Sequence, residues 1–175
     1  MNPILEKKYS VRALIEFLLR TGDLDNRIQA PSDAMAAGSR LHKRLQKLGG
    51  ADYHAEVPLS GTFVLAIREK EARIRIEGRA DGIIEEDGEV PMIDEIKGTY
   101  RSVTRMKEPN PVHLAQAKLY AFLYAHQEKL PQIRVRMTYG NLDTEKIRYF
   151  EFLYFYSNLL LFSQLLLPKL LFLLF

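Results

Sequence analysis

Apolar and polar residues alternate along several stretches in the middle of the chain. At 72–78, for example, Arg73, Arg75 and Glu77 alternate with Ile74 and Ile76. A period of two is that of a strand with one wet and one buried face. We therefore predict three strands, at 55–59, 63–68 and 72–78, with residues 69–71 as a turn.

Two further pairs of apolar runs predict hairpins. The runs at 82–84 and 90–96 flank the polar stretch 85–88, and the runs at 133–139 and 146–152 flank the stretch 140–143. Each intervening stretch contains Gly together with Asp or Asn, residues typical of turns between strands.

Helical periodicity predicts helices at 11–19, 33–48 and 111–129. Pro31, Ser32 and Asp33 form a candidate cap of the second helix, and Gly49 and Gly50 end it. A linker rich in Asp, Asn and Pro separates the first two helices. The element order is two helices, a β-meander, a helix and a β-hairpin, which predicts an α/β (α+β) fold with a mixed β-sheet flanked by α-helices.

The candidate chemistry lies on the first predicted hairpin. Glu95 and Lys97 are two residues apart on a strand, so both point away from the face that buries Ile96, and the hairpin brings Asp81 back towards Glu95. Two carboxylates can hold a divalent cation, and an ammonium can orient the attacking water. A structural salt bridge between Glu95 and Lys97 is the alternative.

Two helices supply further candidates. His42 on the second helix is a candidate metal ligand, with a structural or solvated histidine as the alternative. Gln116 and Tyr120 on the third helix are four residues apart and share one face. They are candidates for contact with nucleic acid, although ordinary packing has the same spacing.

In combination, four motifs resemble those of the PD-(D/E)XK nucleases of the RecB and CRISPR-associated exonuclease type. They are Gly-x-x-x-His at 38–42, Gly-x-x-Asp at 78–81, Glu-x-Lys at 95–97 and Gln-x-x-x-Tyr at 116–120. The resemblance implies a restriction-endonuclease-like core and a divalent ion, Mg²⁺ or Mn²⁺. The residues that it implies as metal ligands are His42, Asp81, Glu95 and the carbonyl of Ile96.

The same resemblance implies roles for the other motif residues. Lys97 would position the attacking water, and Gln116 and Tyr120 would contact the DNA backbone or the active site. Three stretches between residues 10 and 150 resemble more closely the nuclease domain that precedes the helicase in some bacterial DinG-type (XPD-like) proteins, which makes a helicase a candidate partner. The sequence contains no Walker motif, so neither ATP binding nor unwinding is assigned to the chain.

The net charge of +3 is small, so nucleic-acid binding would depend on local patches. Arg101, Arg105 and Lys107 follow the predicted catalytic lysine and form a candidate DNA-binding loop, with a solvated surface loop as the alternative. The absence of cysteine excludes an iron–sulfur cluster held by thiolates. No signal peptide is evident, so we expect a cytoplasmic protein.

The C-terminal tail is strongly apolar. Eighteen of the twenty-four residues at 152–175 are apolar, but Ser157, Asn158, Gln164 and Pro168 recur along the run. We predict a nuclease domain at 1–152 and, at 153–175, an apolar C-terminal helix that packs on the sheet. A membrane anchor and a truncated or shifted reading frame are the alternatives.

The sequence therefore predicts a divalent-metal-dependent DNA nuclease that hydrolyses phosphodiester bonds in DNA repair or processing. We expect an exonuclease that acts on single-stranded DNA or DNA ends. The alternatives are a catalytically inactive nuclease-like module that binds nucleic acid or a helicase partner, and a metal-free structural domain.

Overall fold

The computed structural model describes residues 5–19, 32–67 and 70–171. Within these ranges the helices are α1 (Val11–Leu19), α2 (Ser32–Leu48), α3 (Pro111–Glu128) and α4 (Tyr156–Leu171), with a short 3-10 turn at Val103–Arg105. The strands are β1 (Leu5–Ser10), β2 (Tyr53–Ile67), β3 (Lys70–Ile84), β4 (Met92–Thr99), β5 (Gln132–Asn141) and β6 (Ile147–Phe155). The predicted linker between the first two helices, including Pro31, lies outside the described residues.

The six described strands form one mixed sheet in the order β1-β3-β4-β5-β6, and β2 pairs with β3. The β1–β3 and β4–β5 pairs are parallel, and the β2–β3, β3–β4 and β5–β6 pairs are antiparallel. Helices α1, α3 and α4 contribute to the main core, whereas α2 packs through Leu41 and Leu45 on Ile96. The predicted mixed sheet flanked by helices is confirmed.

Helix α3 illustrates how local sequence sets an element boundary. Asn110 is the N-cap, and its side chain accepts a hydrogen bond from the amide of Val112 at 2.9 Å. Pro111 occupies the first turn, where its missing N–H costs nothing. The helix runs from there across the sheet and carries Gln116 and Tyr120.

The predicted three-stranded meander is wrong, because its first two members form one strand. β2 runs unbroken through Gly61, and it pairs with β3 from Tyr53 to Ile67. A Cβ at Gly61 would lie 2.8 Å from the Phe63 ring and 2.9 Å from Leu123, so this glycine serves close packing and not a turn. Of the predicted strand and turn at 63–71, residues 68 and 69 lie outside the described part of the chain.

Other strand boundaries also differ from prediction. β3 is continuous across the predicted segments 72–78 and 82–84, and β6 ends at Phe155 instead of Phe152. Strand β1 was not predicted, because Glu6, Lys7 and Lys8 are exposed and leave no alternating apolar pattern. It is an edge strand, held by parallel pairing with the first half of β3.

The apolar tail forms helix α4 up to Leu171. Leu159, Leu166 and Leu167 are buried in the main core, and α4 contacts α3, β6 and β2. Ser163 is also buried, and its hydroxyl donates to the carbonyl of Leu160 at 2.7 Å. Among the helices of the described ranges, none combines the length and the hydropathy that crossing a bilayer requires.

Candidate active site

The hairpin of β3 and β4 brings the predicted carboxylates together. Gly82 pairs with Asp94, and the amide of Ile96 donates to Asp81 Oδ2 at 2.7 Å. Glu95 and Lys97 share one face of β4, with 2.7 Å between Lys97 Nζ and Glu95 Oε1. The side chain of Ile96 is fully buried in the cluster formed with Leu41 and Leu45.

Packing of α2 places His42 beside Asp81. Because Leu41 and Leu45 pack on Ile96, His42 comes to lie over β3, and its Nδ1 is 3.4 Å from Asp81 Oδ1. A Cβ at position 140 would lie 2.6 Å from Leu41, so Gly140 on β5 allows this close approach. Burial alone would lower the pKa of His42, but the hydrogen bond and charge of Asp81 raise it overall.

Glu95 is the most deeply buried acid of the group. Its side chain is 2% exposed, and in the described residues its Oε2 atom has no hydrogen-bond partner. Burial raises the pKa of Glu95 to about 7, even though the Lys97 ammonium acts to lower it. A buried carboxylate oxygen without a partner is costly, and a bound cation would satisfy it.

The donor set fits a hard divalent ion. His42, Asp81 and Glu56 each offer a ligand atom, and these atoms lie within 4.8 Å of one another. Carboxylate oxygens with one imidazole suit Mg²⁺ or Mn²⁺, whereas the chain has no thiolate to offer a softer metal. Glu56 was not predicted from the sequence, because no motif includes it and only the pairing of β2 with β3 places it here.

Gln116 on α3 contacts the lysine, and Tyr120 lies one turn further along the same face of the helix. Lys97 Nζ donates to Gln116 Oε1 at 3.4 Å. Tyr120 is only 4% exposed, and burial together with the charge of Glu95 raises its pKa to about 12. A Cβ at position 78 would lie 2.7 Å from the Tyr120 hydroxyl, which explains why glycine precedes Asp81 by three residues.

The basic loop follows directly on β4. Arg101, Arg105 and Lys107 are all exposed. The loop is anchored by Asn141, whose Nδ2 donates to the carbonyl of Arg101 at 3.0 Å, and by Val103, which is buried in the main core. The three cations therefore project from a fixed backbone just beyond the strand that carries Lys97.

A buried network supports the site from the opposite face of β4. Asp94 accepts two hydrogen bonds from Arg136, at 3.1 and 2.8 Å, and one from the Tyr53 hydroxyl at 3.1 Å. Thr138 also donates to it. A Cβ at Gly82 would meet the Tyr53 hydroxyl at 2.0 Å, so this glycine admits the tyrosine. Both carboxylate oxygens of Asp94 accept hydrogen bonds from groups of the protein, which indicates that Asp94 has a structural role.

Comparison with known proteins is consistent with this geometry. Residues 6–161 match the family model of the PD-(D/E)XK nuclease superfamily. The crystal structure of SSO0001 is similar with a TM-score of 0.56 and 18% sequence identity, and the alignment covers 90% of this chain and 73% of that chain. At this identity the likeness concerns the fold alone. No curated protein matches the chain.

Proposed function

This chain belongs to the PD-(D/E)XK nuclease superfamily, and on that premise we propose that it is a DNA nuclease that hydrolyses phosphodiester bonds with a divalent metal ion. The observation that carries the proposal is the convergence of His42, Asp81, Glu95 and Lys97 from one helix and two strands. These are the groups that such a reaction needs within reach of one phosphate.

The chemistry of each site residue suggests its role in the reaction. His42, Asp81, Glu95 and the Ile96 carbonyl would hold Mg²⁺ or Mn²⁺, which supplies charge neutralisation at the phosphate and a more acidic bound water. Lys97 is held between Glu95 and Gln116, with its Nζ 2.7 Å from Glu95 Oε1 and 3.4 Å from Gln116 Oε1. Its ammonium would orient the attacking water.

We assign nucleic-acid binding to the basic loop and to α3. Arg101, Arg105 and Lys107 are exposed beside the strand that carries Lys97, where phosphates of a bound strand would be attracted. Gln116 would touch the substrate next to Lys97. Tyr120 is buried, so its contribution would be to hold Gln116 in place and to support the active site.

Several finer points are also part of the proposal. We propose exonuclease action on single-stranded DNA or DNA ends, a role in DNA repair or processing, a helicase as partner and a cytoplasmic location. The RecB-like and DinG-like resemblance of the motifs supports them. The division into a nuclease domain, residues 1–152, and a C-terminal segment, residues 153–175, likewise remains a prediction.

The proposal is tested by cleavage of end-labelled single- and double-stranded DNA and RNA with Mg²⁺, Mn²⁺ or EDTA. We expect metal-dependent cleavage of DNA that Lys97→Met reduces by about 100-fold or more, since misplacement of a reacting group has effects of this size. Lys146→Met is the matched control, since Lys146 is an exposed lysine outside the site, and it should cleave like the wild type.

The same experiment separates the alternative functions. Retained DNA binding without cleavage under any metal condition would refute the nuclease and favour the inactive nucleic-acid-binding module. Cleavage that persists in EDTA would refute the role of the metal. Preference for RNA would correct the substrate.

A further inference from the structure

Glu56 on β2 lies beside the predicted metal ligands although no nuclease motif includes it. The flanking pairs of β2 and β3 are Ala55 with Gly82 and Val57 with Ala80, which puts Glu56 directly across from Asp81. Residues opposite each other on an antiparallel pair point to the same face. A carboxylate oxygen of Glu56 accordingly lies within 4.8 Å of ligand atoms of both Asp81 and His42.

The backbone at Glu56 is unusual. Its φ of +56° is in the left-handed region, inside a strand of 15 residues, and the ladder omits the pair between Glu56 and Asp81. Non-glycine residues rarely adopt this conformation, and where it occurs it concentrates at ligand-binding sites. The conformation therefore needs support from its surroundings.

The same point marks a change in which side chains face the main core. On β3, Ile76 and Ala80 face the main core, and strict alternation would next bring Ile84 to that face. Instead Ile83 belongs to the main core, and Ile84 belongs to a separate cluster with Tyr53 and Met92. The alternation has shifted by one residue between Ala80 and Ile83. Asp81 and Glu56 sit at the shift.

Gln46 on α2 ties the two acids together. Its Nε2 donates to the carbonyl of Asp81 at 2.9 Å and to Glu56 Oε1 at 3.0 Å. One amide on the His42 helix thus holds both the backbone of one acid and the carboxylate of the other. This arrangement keeps Glu56 directed towards Asp81 and His42 despite its exposure to solvent.

An independent observation indicates that a cation belongs among these groups. Glu95 Oε2 is buried and has no partner in the described residues, and the charges of Asp81 and His42 both act on Glu95. Asp81 and His42 therefore lie close to a buried carboxylate oxygen that has no partner, while the Lys97 ammonium pairs with the other oxygen of Glu95. A divalent ion would satisfy that oxygen.

We propose that Glu56 is a further ligand of the metal ion and completes the set formed by His42, Asp81 and Glu95. This inference rests on the proposed function, because it concerns the same metal centre. The carboxylate of Glu56 and the ligand atoms of His42 and Asp81 already lie within 4.8 Å of one another, so side-chain movement alone would bring them to ligand distance of one ion.

The competing account is that Glu56 serves only as a surface ion pair. Arg79 Nη1 lies 3.7 Å from Glu56 Oε2, but both side chains are about half exposed or more, and such pairs contribute little to stability. This account predicts that Glu56 matters no more than Arg79 does. The two accounts differ in metal affinity.

The test is the binding of Mn²⁺ to the full chain, measured by titration calorimetry and by the electron paramagnetic resonance of free Mn²⁺. Glu56→Gln keeps an acceptor for Gln46 but removes the charge. We expect its affinity to fall at least as far as the roughly 10-fold that changing outer partners of metal ligands causes. Glu151→Gln, an exposed glutamate on β6, and Arg79→Met should bind Mn²⁺ like the wild type.

The outcomes distinguish this inference from the proposed function. Equal Mn²⁺ affinity of Glu56→Gln and the wild type would overturn the role of Glu56 and leave the metal centre standing. A wild-type protein that binds no Mn²⁺ would overturn the metal centre itself. Should Glu56→Gln fold poorly in EDTA, Glu56→Gly decides the question, because glycine suits the positive φ, and it should show the same loss of affinity.

Discussion

Two adjacent acids on β4 should respond to substitution in opposite ways, because neighbouring side chains of a strand point to opposite faces. Glu95 faces Lys97 and α3, whereas Asp94 faces Arg136, Thr138 and Tyr53. We predict that Asp94→Ala destabilises the protein and spares the metal site. Glu95→Ala should cost less stability, because it also removes a buried carboxylate oxygen that has no partner, and it should lose the metal.

The size of the Asp94 effect follows from its partners. Removing one member of a buried ion pair costs about 3–5 kcal/mol, because the other charge is left without compensation. Asp94 is 2% exposed, but Arg136 keeps 20% of its side-chain surface in water, so we expect about 3 kcal/mol. At roughly 2–4 °C per kcal/mol for a chain of this size, the melting temperature should fall by about 6–12 °C.

Urea unfolding and Mn²⁺ calorimetry on the same variants test this reasoning. Asp94→Ala should unfold at lower urea and bind Mn²⁺ within about threefold of the wild type, a difference of roughly 0.6 kcal/mol. Combining it with Arg136→Met removes the stranded charge and should recover part of the lost stability. The reasoning is refuted if Asp94→Ala keeps its stability and loses Mn²⁺ binding as Glu95→Ala does.

Two further predictions concern α3 and its neighbours. Gly78→Ala places a Cβ 2.7 Å from the Tyr120 hydroxyl, so overpacking should lower the free energy of unfolding in urea by about 1–3 kcal/mol. The loss should be smaller when Gly78→Ala is combined with Tyr120→Phe, and an unchanged urea midpoint of Gly78→Ala would contradict the close contact. Burial and the Lys97 ammonium lower the pKa of His113 from 6.5 to about 4. Between these two pH values the folded state therefore binds fewer protons than the unfolded state. As the pH drops from 7 to 4.5, the free energy of unfolding of the wild type should therefore fall by about 1–2 kcal/mol more than that of His113→Gln, a figure discounted for partial exposure. Unfolding free energies of the two proteins that change in parallel with pH would contradict this prediction.

Much of the fold was predictable because it follows from local periodicity. The alternation around Ile74 and Ile76, the cap at Asn110 and the turn at 85–88 each specify their element through interactions a few residues apart. The mixed sheet flanked by helices follows from the order of those elements. Predictions failed where a local signal had a distant cause, as at Gly61, where the glycine accommodates Leu123 on α3.

Strand β1 shows the converse case. Its residues Glu6, Lys7 and Lys8 carry no apolar pattern, and the strand exists because the first half of β3 offers an unpaired edge. Backbone pairing with a distant strand supplies the hydrogen bonds that the side-chain pattern does not indicate. Such pairing can be recognised only when the position of the neighbouring strand is known.

For the candidate site, the sequence by itself determined which groups share a face. Glu95 and Lys97 must point the same way with Ile96 opposite, and Gln116 and Tyr120 must lie along one side of α3, because the strand and helix periods are properties of the local backbone. Only the tertiary structure decided the rest. The packing of Leu41 on Ile96 brings His42 to Asp81, and the register of β2 against β3 places Glu56, with its left-handed backbone, across from Asp81 and so adds a carboxylate that no motif contains. Such contacts depend on the relative placement of elements far apart in the chain, which side-chain packing sets and local periodicity does not encode.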